Sequence, residues 1–218
     1  GSFSSVYKAY NEFNKIVAIK KIYLDKKNSR ELFIKEFKLL RNLSHINIVQ
    51  VYDIIIEENN KIYIILEYFK HGDLSKVINN KILTEVQSQN YSIQLKDGIK
   101  YLYEHNIIHR DLKPQNILVS DENILKICDF GFARYFNKDL MLGTLCGSPL
   151  YMAPEIMANN KYNNKSDLWS VGVIIYEFLY GKLPFKGTNL IELNKNIQEN
   201  NISYESSRNI PKECIILL

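Results

Sequence analysis

The stretch IIHRDLKPQNILV (107–119) sets one acid, three basic side chains and two amides between two short runs of Ile, Leu and Val, each of which would otherwise read as a buried strand. Polar groups taken out of water need partners, so the most polar segment of the region belongs on a loop whose apolar flanks anchor it to the core. Such an arrangement delivers Asp111, Lys113 and Asn116 to one place.

Outward from this loop, the two halves of the chain differ in period. On its N-terminal side, T-x-x-Q at Thr84 and Gln87 is a capping box, followed by Tyr91, Leu95 and Leu102 on one helical face. On its C-terminal side come CDFG (128–131), a segment without clean periodicity, and SPLYMAPE (148–155). SDLWSVGVIIYEFLYG (166–181) is apolar nearly all round and stops at a glycine, as a helix enclosed by a larger core does. The first 70 residues or so read instead as strands, SVYKAY (5–10), KIVAIKKIYL (15–24) and KIYIILEYF (61–69), with one helix over SRELFIKEFKLLRNL (29–43). That helix carries Phe33, Phe37 and Leu40 on one stripe after the N-cap candidate Ser29, and Glu36 falls on the same stripe. A final run, CIILL (214–218), follows Pro211 and has a helical look.

Composition narrows the class. With 46% apolar and 24% charged residues the chain is an ordinary globular protein, large enough for a sizeable core. A net charge of +4 with scattered lysines lacks the focused basic face that nucleic-acid binding needs. Cys128, Cys146 and Cys214 are odd in number and have no metal-ligand spacing, which argues against a disulfide framework or a zinc site and for a reducing, cytoplasmic setting. No signal peptide or membrane-spanning run is legible, and nothing indicates an oligomeric state.

Several residues carry chemistry by their placement. Lys20 sits in VAIK among apolar neighbours and Glu36 shares its face with Phe33 and Leu40, so both are drawn inward, where an unpartnered charge costs several kcal/mol; mutual pairing is the economical solution. GSFSSV (1–6), directly before a strand, has the look of the tail of a glycine-rich turn that admits phosphates to backbone amides. Asp111, Asn116 and Asp129 offer the hard oxygens that Mg²⁺ and a hydroxyl nucleophile require.

VAIK, HRDLKPQN, CDFG and SPLYMAPE, in this order and spacing, resemble the eukaryotic protein kinase family over essentially the whole chain. The resemblance implies an α+β, bilobal fold: a β-rich N-lobe with one helix and the hinge over 1–69, and a mainly helical C-lobe over 70–218. It also implies truncation at both ends, because Gly1 matches the second glycine of the phosphate-covering loop, Ser4 stands for the third, and the Arg that pairs with Glu155 is not reached.

The resemblance further implies ATP and Mg²⁺ as cofactors and protein Ser/Thr hydroxyls as substrate. Lys20, held by Glu36, is expected on the α- and β-phosphates, and Asp129 with Asn116 on the metal. Asp111 is expected to orient the hydroxyl and accept its proton, and Lys113 to neutralise the transferring phosphoryl. Val6, Ala18 and Leu118 are expected around adenine, the backbone of Glu67 and Phe69 at its edge, Leu66 as gatekeeper, and Asp73 at ribose or substrate. Lys113-Pro114-Gln115 matches Ser/Thr kinases, and Phe132 is of the type associated with serine. Ser148 is expected to pack against Asp111 and Lys113, and Arg110 to await a phosphate on Thr144. Within the family the segments are most similar to autophagy-initiating kinases. A pseudokinase that keeps the fold without transfer, and a small-molecule kinase of related fold, are the rival readings.

Overall fold

In the computed structural model, residues 4–23, 40–57, 61–79, 81–130, 134–135, 148–158, 162–200, 202–204 and 210 are described. Gly1, Glu36, Phe132, Thr144, Cys146 and the CIILL run lie outside them.

The strand-rich half forms an antiparallel sheet of β1 (Ser4–Tyr10), β2 (Ile16–Tyr23), β3 (Val51–Ile56) and β4 (Lys61–Glu67) in the order β1-β2-β4-β3. Three of these strands match the Val-, Ile- and Tyr-rich runs of the sequence; β3, whose VYDIII was not distinguished there, completes the sheet. Residues alternate across it, so register decides function. Val6 stands opposite Lys20, Ala18 opposite Leu66, and Lys20 opposite Ile64, which aligns these positions across three strands. Of the helix expected over 29–43, Leu40 and Arg41 are described as helical, and Leu40 is buried as its place on the stripe requires.

The helical half begins with α1 (Leu74–Ile78) and the long α2 (Glu85–Glu104). The Thr84 capping box forms in both directions: the threonine side chain accepts from Gln87 N, and the Gln87 side chain accepts from Thr84 N. After β5 (Ile107–Ile108), a 3₁₀ turn (Pro114–Asn116) leads into β6 (Ile117–Val119) and β7 (Leu125–Ile127), a two-stranded ribbon; β8 (Arg134–Tyr135) pairs back with β5. A second 3₁₀ turn (Pro149–Tyr151) precedes α3 (Pro154–Met157), α4 (Asn164–Tyr180) and α5 (Leu190–Gln198). α4 ends at Gly181 in the left-handed conformation, φ 65°, which glycine adopts without the Cβ penalty. Its Ile174 and Phe178 are fully buried, and they join Tyr91, Leu95 and Leu102 of α2, Leu112 of the loop and Ile117 of β6 in one core. The core also takes in Ile62 and Ile64 of the sheet, so both halves share it. Among the described residues no helix is long and apolar enough to cross a membrane.

Candidate active site

The loop between β5 and β6 is held by its backbone. His109 is fully buried, and its N–H donates to Asp167 Oδ2 at 2.7 Å; the next amide, Arg110 N–H, donates to Asp167 Oδ1 at 3.0 Å. Asp167 lies in the first turn of α4, where the positive end of the helix favours a carboxylate, and is itself buried. Burial raises its pKa from the ordinary value, while His109 and the two amides oppose the rise. These bonds fix Arg110 at φ 72°, a left-handed conformation that is costly for a side chain of its size.

His109 contributes a second restraint. Its Nδ1 accepts from Asp111 N at 3.3 Å, which leaves Nε2 to donate to Cys128 O at 2.8 Å, and its ring packs on Phe130 with centroids 5.2 Å apart. The histidine thereby ties the HRD segment to CDFG, and Cys128 N donates to Asn116 O at 2.9 Å as a further tie. Burial, with Asp129 adding to it, pushes the Cys128 thiol up to about 12, so it stays protonated and is a poor nucleophile.

Asp111, itself buried, presents a carboxylate that accepts at both oxygens. Oδ1 takes Ser148 Oγ at 2.9 Å; Oδ2 takes Asn116 Nδ2 and Lys113 Nζ, each at 2.9 Å. Lys113 Nζ also reaches Ser148 Oγ at 2.6 Å, and Asn116 Nδ2 reaches Asp111 O at 2.7 Å. Asp111, Lys113, Asn116 and Ser148 are thus one hydrogen-bonded unit. With its amide nitrogen committed to Asp111, Asn116 leaves Oδ1, a hard oxygen, for acceptance.

Lys20 Nζ lies 2.5 Å from Asp129 Oδ1, joining two residues 109 positions apart, and Asp129 stands at φ 61°. Glu36, the expected partner of Lys20, is outside the described residues. At the strand edge, Glu67 N–H donates to Gln50 O at 3.0 Å and its side chain pairs with Lys126 at 3.1 Å. Val6 is 64% exposed. Asp73 caps α1 by accepting from Ser75 N at 3.1 Å, and it bridges to Leu118. Arg110 is buried with its guanidinium 4.5 Å from the Tyr162 ring centroid.

The sequence reading missed Asp167, although an acid in the first turn of a helix apolar nearly all round was the available signal. It also missed the reach of Lys20 to Asp129, for which no local signal exists. Glu155, expected to lack its partner, accepts from Ser166 Oγ at 3.0 Å.

A strand-rich lobe set on a helical one, with a buried loop that aims Asp111, Lys113 and Asn116 beside a Lys20–Asp129 pair, is the architecture of a phosphotransferase catalytic domain. The chain belongs to the protein kinase family, whose protein kinase domain matches residues 1–218. It is 46% identical over 204 residues to serine/threonine-protein kinase ATG1c of Arabidopsis thaliana, which covers 90% of this chain and 28% of the relative. It is 42% identical over 226 residues to serine/threonine-protein kinase atg1 of Dictyostelium discoideum, covering 98% and 34%. Against human serine/threonine-protein kinase ULK1 it is 40% identical over 202 residues, covering 87% and 19%. The chain therefore spans about a third or less of the length of these relatives.

Proposed function

We propose that this chain is the catalytic part of a serine/threonine protein kinase that transfers the γ-phosphate of Mg-ATP to protein hydroxyls. The observation that carries the reading is the Asp111 carboxylate, oriented at both oxygens by Asn116, Lys113 and Ser148. An ionised carboxylate is an acceptor only, so it is suited to orient a substrate hydroxyl and take its proton. Lys113, a point charge within the same unit, neutralises negative charge on the transferring phosphoryl. Ser148 holds both in register.

The donor chemistry fits magnesium. Among the described residues no group of three or more His, Cys, Asp or Glu could hold a metal, and Mg²⁺ is ordinarily bound through one or two protein oxygens together with substrate phosphates. Asp129 and Asn116 supply those oxygens in this reading. When bound, the ion supplies charge neutralisation across the phosphates. Lys20 then pairs with the α- and β-phosphates, with Glu36 holding it. Val6, Ala18 and Leu118 enclose adenine below the gatekeeper Leu66, Gly1 belongs to the loop over the phosphates, and Glu67 O and Phe69 N–H take the adenine edge. Asp73 faces ribose or substrate. Arg110 and Thr144 form the regulatory pair, a phosphate on the threonine being the anion that the guanidinium awaits. We place the biological role with the autophagy-initiating kinases and the location in the cytoplasm.

Transfer from Mg-ATP to a Ser/Thr peptide library, by the chain and by its Asp129→Asn variant, tests the reading. Transfer by the chain and its loss in the variant are expected. Transfer that survives the substitution refutes the metal assignment, and none from the intact protein favours a pseudokinase. Thr144→Ala with unchanged activity would sink the regulatory pair.

A further inference from the structure

The ribbon strand β7 runs Leu125–Ile127 and reaches Asp129 two residues later. One of its edges pairs with β6, in the register Ile117↔Ile127 and Val119↔Leu125. Among the described residues no strand lies along its other edge, which has only an isolated parallel bridge from Ile48 to Ile127, and the groups there are buried: Leu125 is 1% and Ile127 0% exposed. Buried backbone amides require partners, and two side-chain amides help to supply them. Gln94 Oε1, from α2, accepts from Leu125 N at 2.7 Å. Asn47 Nδ2 donates to Leu125 O at 3.0 Å and to Gln94 Oε1 at 3.0 Å. The backbone of the same Asn47 segment completes the edge, with Ile127 N donating to Asn47 O and Val49 N to Ile127 O, each at 2.9 Å.

Gln94 is anchored in turn. Its Nε2 donates to Asn90 Oδ1, one helical turn back, and to Asn123 O in the β6–β7 turn, both at 3.1 Å. One turn onward, Gly98 lets α2 approach: a Cβ there would lie 2.9 Å from Ile127 Cδ1 and 3.3 Å from Asn47 O. Gln94 and Gly98 together make α2 a substitute for a neighbouring strand. Downstream, the chain has little freedom before Asp129, because Cys128 is bonded through both its N–H and its carbonyl.

We propose that Gln94 is a positioning residue for Asp129: through the Leu125 amide and Asn47 it sets the twist and register with which β7 delivers that carboxylate. The inference rests on the assignment of Asp129 to the metal.

Gln94→Leu keeps bulk but leaves Leu125 N–H and one Asn47 contact unmatched, whereas Gln94→Glu keeps the accepting oxygen toward them while giving up the Nε2 bonds to Asn90 Oδ1 and Asn123 O. In the full chain, Gln94→Leu is expected to raise the Mg²⁺ concentration for half-maximal activity and to lower kcat, each by about 10-fold, the lower end of what outer-shell substitutions at metal sites produce. The peptide KM stays unchanged, and Gln94→Glu, which lacks only the bonds to Asn90 and Asn123, recovers most of both values. A second readout needs no turnover: the rise in melting temperature given by ATP with Mg²⁺ over ATP with EDTA shrinks in Gln94→Leu and not in Gln94→Glu. Should the leucine variant not fold, Gln94→Met, with similar length and a weak acceptor, carries the same comparison. A lower melting temperature with the Mg²⁺ dependence and the Mg²⁺ increment both intact overturns the proposal and leaves Gln94 a packing residue. If the intact chain transfers no phosphate, the kinase reading falls, and the melting increment still decides the part that Gln94 plays.

Discussion

Replacing Asp167 by asparagine should disable the loop without touching any residue that faces the cleft. The carboxylate takes two buried amides, His109 N–H at 2.7 Å and Arg110 N–H at 3.0 Å. Bonds to a charged acceptor contribute about 1.5–3 kcal/mol each, and asparagine turns its NH₂ toward one of the two donors whichever way it lies. Set against this, burying an ionised carboxyl carries a desolvation cost, visible in the raised pKa of Asp167, that the amide avoids in part. The net loss should be about 1–3 kcal/mol in urea unfolding, and about 3–5 kcal/mol for Asp167→Ala, which abandons both amides. The larger effect falls on the rate. Arg110 at φ 72° is held by these bonds, and Asp111, the proposed base, is the next residue, so relaxation should move it; a displacement of 1 Å can cost about 100-fold in kcat. Nucleotide affinity by fluorescence titration should be unchanged. The raised pKa gives a further signature, because the folded chain takes up this proton before the unfolded chain does. The contribution of Asp167 to stability therefore rises as pH falls through the folded pKa, while activity falls over the same interval. Peptide phosphorylation by Asp167→Asn with kcat within about twofold of the parent, despite a stability loss, would refute the reasoning.

Gly98→Ala should destabilise, against the usual gain of about 0.5–1 kcal/mol for alanine in a helix interior, because the added Cβ meets Ile127 Cδ1 at 2.9 Å and Asn47 Cβ at 3.2 Å; a higher melting temperature would contradict the close approach. His45 Nδ1 accepts from Asn47 N at 3.1 Å, and burial depresses its pKa below 6.5. Stability that is fully present above 6.5 should therefore be lost as pH falls through the folded pKa, with Asp97 and Glu104 resisting the shift and Lys126 reinforcing it. His45→Asn, which can make the same turn without titrating, should flatten that slope in urea midpoints measured from pH 7 down to about pH 5. Ser148→Ala removes the hydroxyl shared by Asp111 and Lys113 and should lower kcat by about 10-fold with ATP binding intact; Ser148→Thr should recover most of it, and an alanine variant at full rate would detach Ser148 from the catalytic unit.

What the sequence made legible was whatever is local. HRDLKPQN carries three of the four residues of the Asp111 unit within six positions, and β1, β2 and β4 follow from alternating β-branched and aromatic residues. The Thr84 capping box and the Gly181 stop are contained within a turn of the helices they bound. Asp167, Asn47 and Gln94 escaped because a buried polar side chain has the same letter as a solvated one, and what distinguishes them is a partner 31 to 78 residues away. Asn47 in particular sits in SHINIV (44–49), a stretch with no motif to single it out, yet it is 4% exposed. The pairing of Lys20 with Asp129 belongs to the same class of fact, since it depends on how two lobes close.

That last pair has a consequence for heredity as much as for chemistry. Lys20 and Asp129 are paired at 2.5 Å, so a change at either takes a counter-ion from the other, and the ammonium, its side chain 14% exposed against 41% for the carboxylate, is the costlier one to deprive. The two positions are therefore epistatic. Losing both should harm the fold less than the separate losses sum to, although each loss alone is expected to abolish the proposed transfer. A lineage that ceased to need phosphate transfer would be expected to shed the pair together, and a descendant with one member gone would carry an unbalanced cleft as the mark of a recent loss.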